Sequence, residues 1–317
     1  MNDTRRRDLA RLFVGGGLAS ASWLEAQAAE SSGAASPDLL LAQGASPRGD
    51  AGSSRAPRIG LALGSGSARG FAHIGVLKAL DQAGIRPEVI AGSSAGALVG
   101  AFYAAGFTPW QIEEVALRVR DAEVADFASA SKRGMLVGDS LHRFVNDILK
   151  GARIENMRTK YAAVTTDLRT GELAVLRSGP VADAVRASCS IPGVFIPREL
   201  GGRELVDGGL VSPLPVKTAR NLGADFVIAV DVGTRPHRQL LPGMYEVILQ
   251  SFEIMGRALS EQEALTADLL VRPDTSQYVS SDFNVRREMI QAGYEAGQRA
   301  LPELKRRLEA PVRSRRG

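Results

Sequence analysis

One cysteine, Cys189, stands in 317 residues, which excludes an internal disulfide and any cysteine-based metal cluster. Histidine is nearly as scarce: His73, His142 and His237 are the only three, so a catalytic base has few imidazoles to draw on. No stretch reaches the roughly 18 consecutive apolar residues of a membrane-spanning helix. Aromatic residues make up 5% of the chain, which suggests aliphatic walls of Ala, Gly, Val and Leu rather than a binding face of stacked rings. The basic excess is small, a formal net charge of +4. Much of it sits at the two ends, in Arg5, Arg6 and Arg7 and in Lys305, Arg306, Arg307, Arg313, Arg315 and Arg316. Such ends are solvated and also suit transient contact with an anionic membrane surface. Without interleaved aromatics they carry no nucleic-acid motif. Acidic residues show no calcium-loop spacing, and no metal or cofactor is expected.

What remains is ordinary globular material, 44% hydrophobic and 23% charged, enough to bury a sizeable core. Residues 1–28 read as an export signal, with a basic amphipathic anchor or plain disorder as the alternative: Arg6-Arg7 with Leu9 two positions on, a weakly apolar segment from Leu12 to Leu24, and Ala26-Gln27-Ala28 as a cleavage site. The arginine pair resembles a twin-arginine signal, which implies export to the periplasm, although Leu9-Ala10 stand where Phe-Leu is usual. Residues 29–56, rich in Ala, Ser, Gly and Pro, read as a flexible linker. A single domain is expected over 57–310.

Within that domain the apolar run Ile59 to Leu63 predicts a buried strand, followed by a glycine loop, a helix over Phe71 to Ala83 and a second strand over Val89 to Ala91. An Ala/Leu/Val-rich helix follows at once. This is the opening of a parallel α/β sheet covered on both faces. Further on, Asp139 is expected to cap a helix through Leu141, Val145 and Leu149. Strands are predicted at Tyr161 to Thr165, Leu173 to Leu176, Phe226 to Val232 and Leu269 to Arg272, with long helices over Tyr245 to Ala267 and Val285 to Leu308. The passage from Ser188 to Gly209 reads as loop-rich.

The chemistry concentrates at three places. Gly92-Ser93-Ser94-Ala95-Gly96 ends a strand and opens a helix, the setting in which G-x-S-x-G forms a nucleophile elbow. The elbow pushes Ser94 into the open at a helix N-terminus, where a developing anion is favoured; the same residues would also serve as a small-residue turn. Gly64-Ser65-Gly66-Ser67-Ala68-Arg69-Gly70 departs by one residue from the dinucleotide fingerprint, and no acidic residue closes the second strand. Its backbone amides, around Gly66 and Ser67, instead suit an oxyanion hole, with Arg69 adding positive field. Val206-Asp207-Gly208-Gly209 puts a carboxylate on a tight turn with free access, unless it is a plain hairpin turn. His73 lies inside the first helix and reads as structural, and His142 as a surface residue. Ser94, Asp207 and His237 follow the α/β-hydrolase triad order, but only one strand precedes the elbow where that fold has several.

Together the glycine loop with Ala72-His73-Ile74-Gly75, the Gly92 to Gly96 elbow and Asp207-Gly208-Gly209 resemble the patatin-like phospholipase family, most of all its bacterial branch related to neuropathy target esterase. Thr166-Asp167-Leu168, Ala187-Ser188, Ile191-Pro192-Gly193-Val194-Phe195 and Asp231-Val232-Gly233 are similar to that branch as well. The resemblance covers about residues 57–305. It implies a three-layer α/β/α sandwich with a mostly parallel central sheet, and a Ser–Asp dyad with Ser94 as nucleophile and Asp207 as proton acceptor. Ser65 and Ser67 stand where the family often has Gly. The implied activity is hydrolysis of fatty-acyl esters of phospholipids or lysophospholipids through an acyl-enzyme. A lipid acyltransferase or a non-catalytic lipid-binding protein are the alternatives. If the N-terminal reading is right, Arg6→Lys with Arg7→Lys is expected to hold full-length protein in the bacterial cytoplasm, whereas unchanged periplasmic recovery of protein cut near Ala28 would refute it.

Overall fold

The computed structural model describes residues 56–309, apart from 121–122, 125, 130, 132, 234–242 and 280. The expected export signal (1–28), all but the last residue of the linker, His237 and the terminal Arg313, Arg315 and Arg316 lie outside the described residues. The chain runs β1 (Ile59–Leu63), α1 (Ala72–Gln82), β2 (Val89–Ser93), α2 (Ala95–Ala104), α3 (Pro109–Arg118), β3 (Gly134–Leu136), α4 (Asp139–Leu149) and β4 (Lys160–Asp167). It continues through β5 (Leu173–Leu176), α5 (Val181–Ser188), β6 (Gly193–Phe195), β7 (Arg198–Leu200) and β8 (Arg203–Asp207). The last elements are α6 (Val216–Asn221), β9 (Phe226–Val230), α7 (Met244–Ala264), β10 (Leu269–Val271) and α8 (Arg286–Glu309).

The main sheet has the order β10-β9-β1-β2-β4-β8-β7, with β5 also on β4. From β10 to β4 every pairing is parallel, and β5, β7 and β8 add antiparallel pairs. Strand side chains alternate between faces, and both faces are buried. Leu61, Leu63, Ile90, Ile228 and Val230 enter one core with α1, α2 and α8. Ala62, Ala91, Val227 and Ala229 enter a second core, whose small side chains let α6 sit close to the sheet. The expected three-layer sandwich is therefore present.

Register on β4 decides where the sequence motifs meet. β2 pairs with its first half, Ser93 opposite Val164, and β8 pairs with its end, Asp207 opposite Thr165. β5 overlaps both stretches, over Ala163 to Thr166, and so must occupy the other edge. Hence β2 and β8 meet end to end along one edge of β4 from opposite directions, and the residue after Ser93 arrives beside Asp207.

Several predicted elements shift. The helix expected from Phe71 begins at Ala72, because Ser67–Phe71 form a 3-10 turn. Asp139 does not cap α4; Gly138 holds that position at φ +85°, and Asp126 accepts hydrogen bonds from the Gly138 and Ser140 amides at 2.6 and 2.9 Å. The passage from Ser188 to Gly209 is not plain loop but carries β6, β7 and β8. Near the C-terminal end, Arg306 and Arg307 pair with Glu303 rather than standing free.

α8 fixes α1, and with it the glycine loop that α1 extends. The two helices touch backbone to backbone: a Cβ on Gly75 would overlap the Ile290 carbonyl oxygen, and one on Gly293 the Ala72 carbonyl oxygen. Gly75→Ala gains about 1 kcal/mol in helix propensity, but overpacking costs about 1–3 kcal/mol or more. Since the obstacle is backbone, the substitution is expected to lower Tm by several degrees in thermal unfolding.

Candidate active site

The elbow forms as the spacing requires. Ser94 sits between β2 and α2 at φ +53° and ψ −121°, a conformation a non-glycine residue holds only under tertiary constraint. Tight packing imposes it: a Cβ on Gly96 would overlap the Leu63 carbonyl, and one on Gly92 would crowd Gly96 and Ala97. The Ser94 side chain makes no cap bond to its helix. Instead its hydroxyl donates to Asp207 Oδ2 at 2.6 Å. The expectations of an open serine and an accessible carboxylate need correcting, since Ser94 is 4% exposed and Asp207 1%. Ile191, Pro213 and the inner side of α7 (Leu249, Phe252, Glu253) wall the cleft around them.

Asp207 is held from several sides. Its Oδ1 accepts from the Gly209 amide at 2.7 Å, within the 3-10 turn Gly208–Leu210 rather than a two-residue hairpin. Thr166 Oγ1 donates to its carbonyl at 2.8 Å, and its own amide donates to the Ser190 carbonyl at 2.9 Å. Burial pushes the carboxyl from its ordinary 3.8 up to about 7, against the pull of the bonds from Ser94 and Gly209, which favour the ion.

In the glycine loop the Gly64 and Ser65 amides are already committed, to the carbonyls of Val230 at 3.0 Å and Pro213 at 2.8 Å. The Gly66, Ser67 and Ala68 amides have no acceptor among the described residues. Ser67 sits at φ +51°, which gives a physical reason for glycine at that position. Gly70 abuts Ala95, and Gly208 abuts Ser93 and Val164, so loop, elbow and acidic turn converge. Arg69 lines the cleft but is buried with its guanidinium 2.6 Å from the Glu253 carboxylate. Its charge is thus opposed on the spot, and the positive field expected from it is largely cancelled.

Neither described histidine reaches Ser94. His73 is fully buried, neutral because burial pushes it down to about 4, and its Nε2–H donates to the Gly64 carbonyl at 2.8 Å. It holds the loop in place. His142 lies 3.2 Å from Asp183 between α4 and α5 and is half-buried rather than on the surface. Two residues hold the site in ways that the Ala187-Ser188 motif does not disclose. Ser188 accepts from the Ser94 amide at 2.9 Å and donates to the Val164 carbonyl at 2.6 Å. Arg186, 3% exposed, donates to Ser190 Oγ and to the carbonyls of Val137 and Ile196, with the Phe195 ring 5.3 Å away. Their nearest sequence signal was the motif that begins at Ala187-Ser188.

Ser94 stands where two clefts meet. One carries the polar groups, Ser65, Arg69, Asp207, Asp231 and Arg257, between apolar walls of Ile191, Leu249 and Phe252. The other, with about 990 Å³ of empty space including its open mouth, is almost wholly apolar. Phe71, Phe102, Phe144, Phe195 and Phe283 are on its walls, so the scarce aromatics gather here and the expected aliphatic lining is incomplete. Cys189 also faces this cavity, its thiol pushed up by burial and by the Asp207 charge. Such a site can transfer an acyl group from an amphiphile: a nucleophile, a desolvated carboxylate, free amides and separate places for chain and head.

Comparison with known proteins agrees in kind. The family model of the patatin-like phospholipases matches residues 61–220. An uncharacterized NTE family protein of Mycobacterium tuberculosis is 42% identical over 186 residues, 56% of this chain and 50% of that protein. A patatin-like phospholipase domain-containing protein of Caenorhabditis elegans is 32% identical over 284 residues, 78% of this chain and 21% of that protein. Lysophospholipase nte1 of Emericella nidulans is 30% identical over 285 residues, 80% of this chain and 19% of that protein. The chain thus spans about half the length of the mycobacterial relative and about a fifth of the other two.

The shifted carboxyl makes stability depend on pH. Between its ordinary 3.8 and about 7 the folded chain retains a proton that the unfolded chain has released. The contribution is therefore full below about pH 4 and is lost as pH rises to about 7. Asp207→Asn, which cannot ionise, is expected to melt several degrees above the parent at pH 8 and close to it at pH 4, as thermal unfolding at the two pH values will read.

Proposed function

This chain belongs to the patatin-like phospholipase family, and we propose that it is a serine acyl hydrolase cleaving fatty-acyl esters of lipids, lysophospholipids foremost, through a Ser94–Asp207 dyad. The observation that carries the reading is the 2.6 Å hydrogen bond from a strained serine to a buried carboxylate, at the junction of an apolar cavity and a polar cleft. A non-catalytic lipid carrier would use the cavity but has no need of that pair. One apolar cavity beside Ser94 suits one acyl chain, which favours a single-chain substrate, and the relative from Emericella nidulans is named a lysophospholipase.

The chain enters the phenylalanine-lined cavity and the head group lies in the cleft lined by Ser65, Asp231 and Arg257. Asp207 Oδ2 takes the hydroxyl proton as Ser94 Oγ attacks the ester carbonyl. The oxyanion forms beside the amides of Gly66 and Ser67, which have no acceptor among the described residues, and the N-terminus of α2. The C–O bond to the alcohol breaks, the alcohol leaves with the proton from Asp207, and an acyl-enzyme remains. Water then attacks with Asp207 again as base, freeing fatty acid and restoring Ser94. A carboxyl that ionises near 7 is far better matched to this task than one near 4.

A fluorophosphonate probe should label Ser94 of the purified protein, as mass mapping of the adduct will read. Ser94→Ala should lower fatty-acid release from lysophospholipid by about 10³-fold or more, and Asp207→Asn by about 10²–10⁴-fold, both with unchanged circular dichroism. For the parent, kcat/KM should rise with pH and level off above about 7, because the base must be ionised. Full activity in Ser94→Ala would end the proposal. Acyl transfer to glycerol in preference to water would redirect it to an acyltransferase.

A further inference from the structure

α7 is built inside out. A surface helix ordinarily turns its charges to solvent and its apolar side to the protein. Among its described residues from Met244 to Leu259 the exposed ones are Met244, Val247, Ser251, Ile254, Met255, Ala258 and Leu259, with no charge among them. Met244 is 74% exposed, Ile254 57% and Met255 54%. The charges point the other way: Glu253 meets Arg69 in the cleft, and Arg257 lines it. Near the helix end Glu263 is turned inward and accepts from Ser212 Oγ and from the Leu214 amide at 2.7 Å. The ion pair of Glu253 and the hydrogen bonds of Glu263 fix the rotation of α7, so its outward face is apolar from Met244 to Leu259, and charge enters that face only beyond it, at Glu261.

We propose that the outer face of α7 seats the protein on a lipid surface and brings the polar cleft to it. The inference rests on the lipid reading of the site. Position favours it, since the inner side of the same helix (Leu249, Phe252, Glu253, Gly256) walls the cleft that holds Ser94. The outer row therefore lies about one helix diameter, ~10 Å, from the cleft. Area argues against a second copy: the row is about 23 Å long and about 10 Å wide, so about 230 Å², against about 800 Å² per partner in a stable protein interface. A bilayer interface needs no matching surface, only an uncharged apolar stripe to receive. No helix among the described residues is long and apolar enough to cross a membrane, so α7 would lie in the interface rather than span it.

The test is co-sedimentation of the full chain with phosphatidylcholine vesicles in 0.5 M NaCl, with Val247→Glu/Ile254→Glu as the variant. Both positions are exposed and neither lines the cleft or the cavity. The parent should bind and the variant should lose binding at least tenfold. The variant's hydrolysis of lysophospholipid in vesicles should fall in step, while its hydrolysis of dissolved p-nitrophenyl butyrate should change less than twofold, which also reports an intact fold. Ile254→Gln/Met255→Gln, a milder pair, should lose binding in the same direction. Undiminished vesicle binding by both variants overturns the proposal. So does parent binding confined to anionic vesicles and released by salt, which would point to the basic chain ends. A dimeric parent that the variant renders monomeric, with vesicle binding kept, assigns the face to a second copy and overturns it too. Sedimentation does not require turnover, so failure of the hydrolase reading shows separately, as loss of esterase activity in the parent.

Discussion

The position of Asp207 depends on one constraint, the edge of β4 on which β2 and β8 end head to head. A parallel strand delivers the elbow and an antiparallel strand delivers the carboxylate, with Ser93 and Asp207 opposite successive residues, Val164 and Thr165. A slip of one residue in β8 would turn Asp207 to the other face of the sheet. The register is protected by the burial of Leu205 and Val206, by the Thr166 bond to the Asp207 carbonyl and by the Asp207 amide bond to Ser190. The hydrogen bond between Ser94 and Asp207 is thus a consequence of sheet pairing.

Around that edge stands a shell of polar side chains that touch backbone rather than substrate. Ser188 ties the Ser94 amide to β4. Arg186 gathers Ser190, Val137 and Ile196, the segments on either side of the β3–β6 pair. His73 holds the Gly64 carbonyl, and the Gly64 amide is tied to β9. Such partners matter because a serine in a strained conformation and a buried carboxyl both oppose folding locally, by about 1–3 kcal/mol for each strained residue. The surroundings must overdetermine them, and here they do so from β4, α1, α5 and β9.

Much of this was legible in the sequence, and the rest was not for identifiable reasons. The elbow, the glycine loop and the Asp-Gly-Gly turn are short local patterns in which glycine spacing reflects close backbone approach, so they could be read directly. The β1, β2 and β9 strands were legible as continuous apolar runs because both faces of the sheet are covered. Burial of Ser94 and Asp207 was misread, since exposure depends on α7 and on the stretch at Ile191, far off in the chain. Arg69 was assigned a field without its counter-charge, because Glu253 lies 184 positions away in sequence and only the fold brings it near. The five phenylalanines of the cavity are likewise scattered from Phe71 to Phe283 and gain meaning only when assembled.

The proposed dyad, with no described histidine at Ser94, makes a physical demand on Asp207. An imidazole titrates near neutrality in water and needs no special environment to act as a base, so a triad can be built in a partly solvated cleft. A carboxylate in water ionises near 4 and attracts a serine proton only weakly. To serve alone it must be desolvated, and desolvation demands a buried site whose neighbours still supply enough hydrogen bonds to keep the ion attainable. Asp207 has that balance: burial raises it, Ser94 and Gly209 lower it, and the outcome lies near 7. The imidazole that is present, His73, shows the complementary case, since full burial lowers it to about 4 and leaves it neutral and structural. Burial has thus moved a carboxyl and an imidazole in opposite directions, past each other.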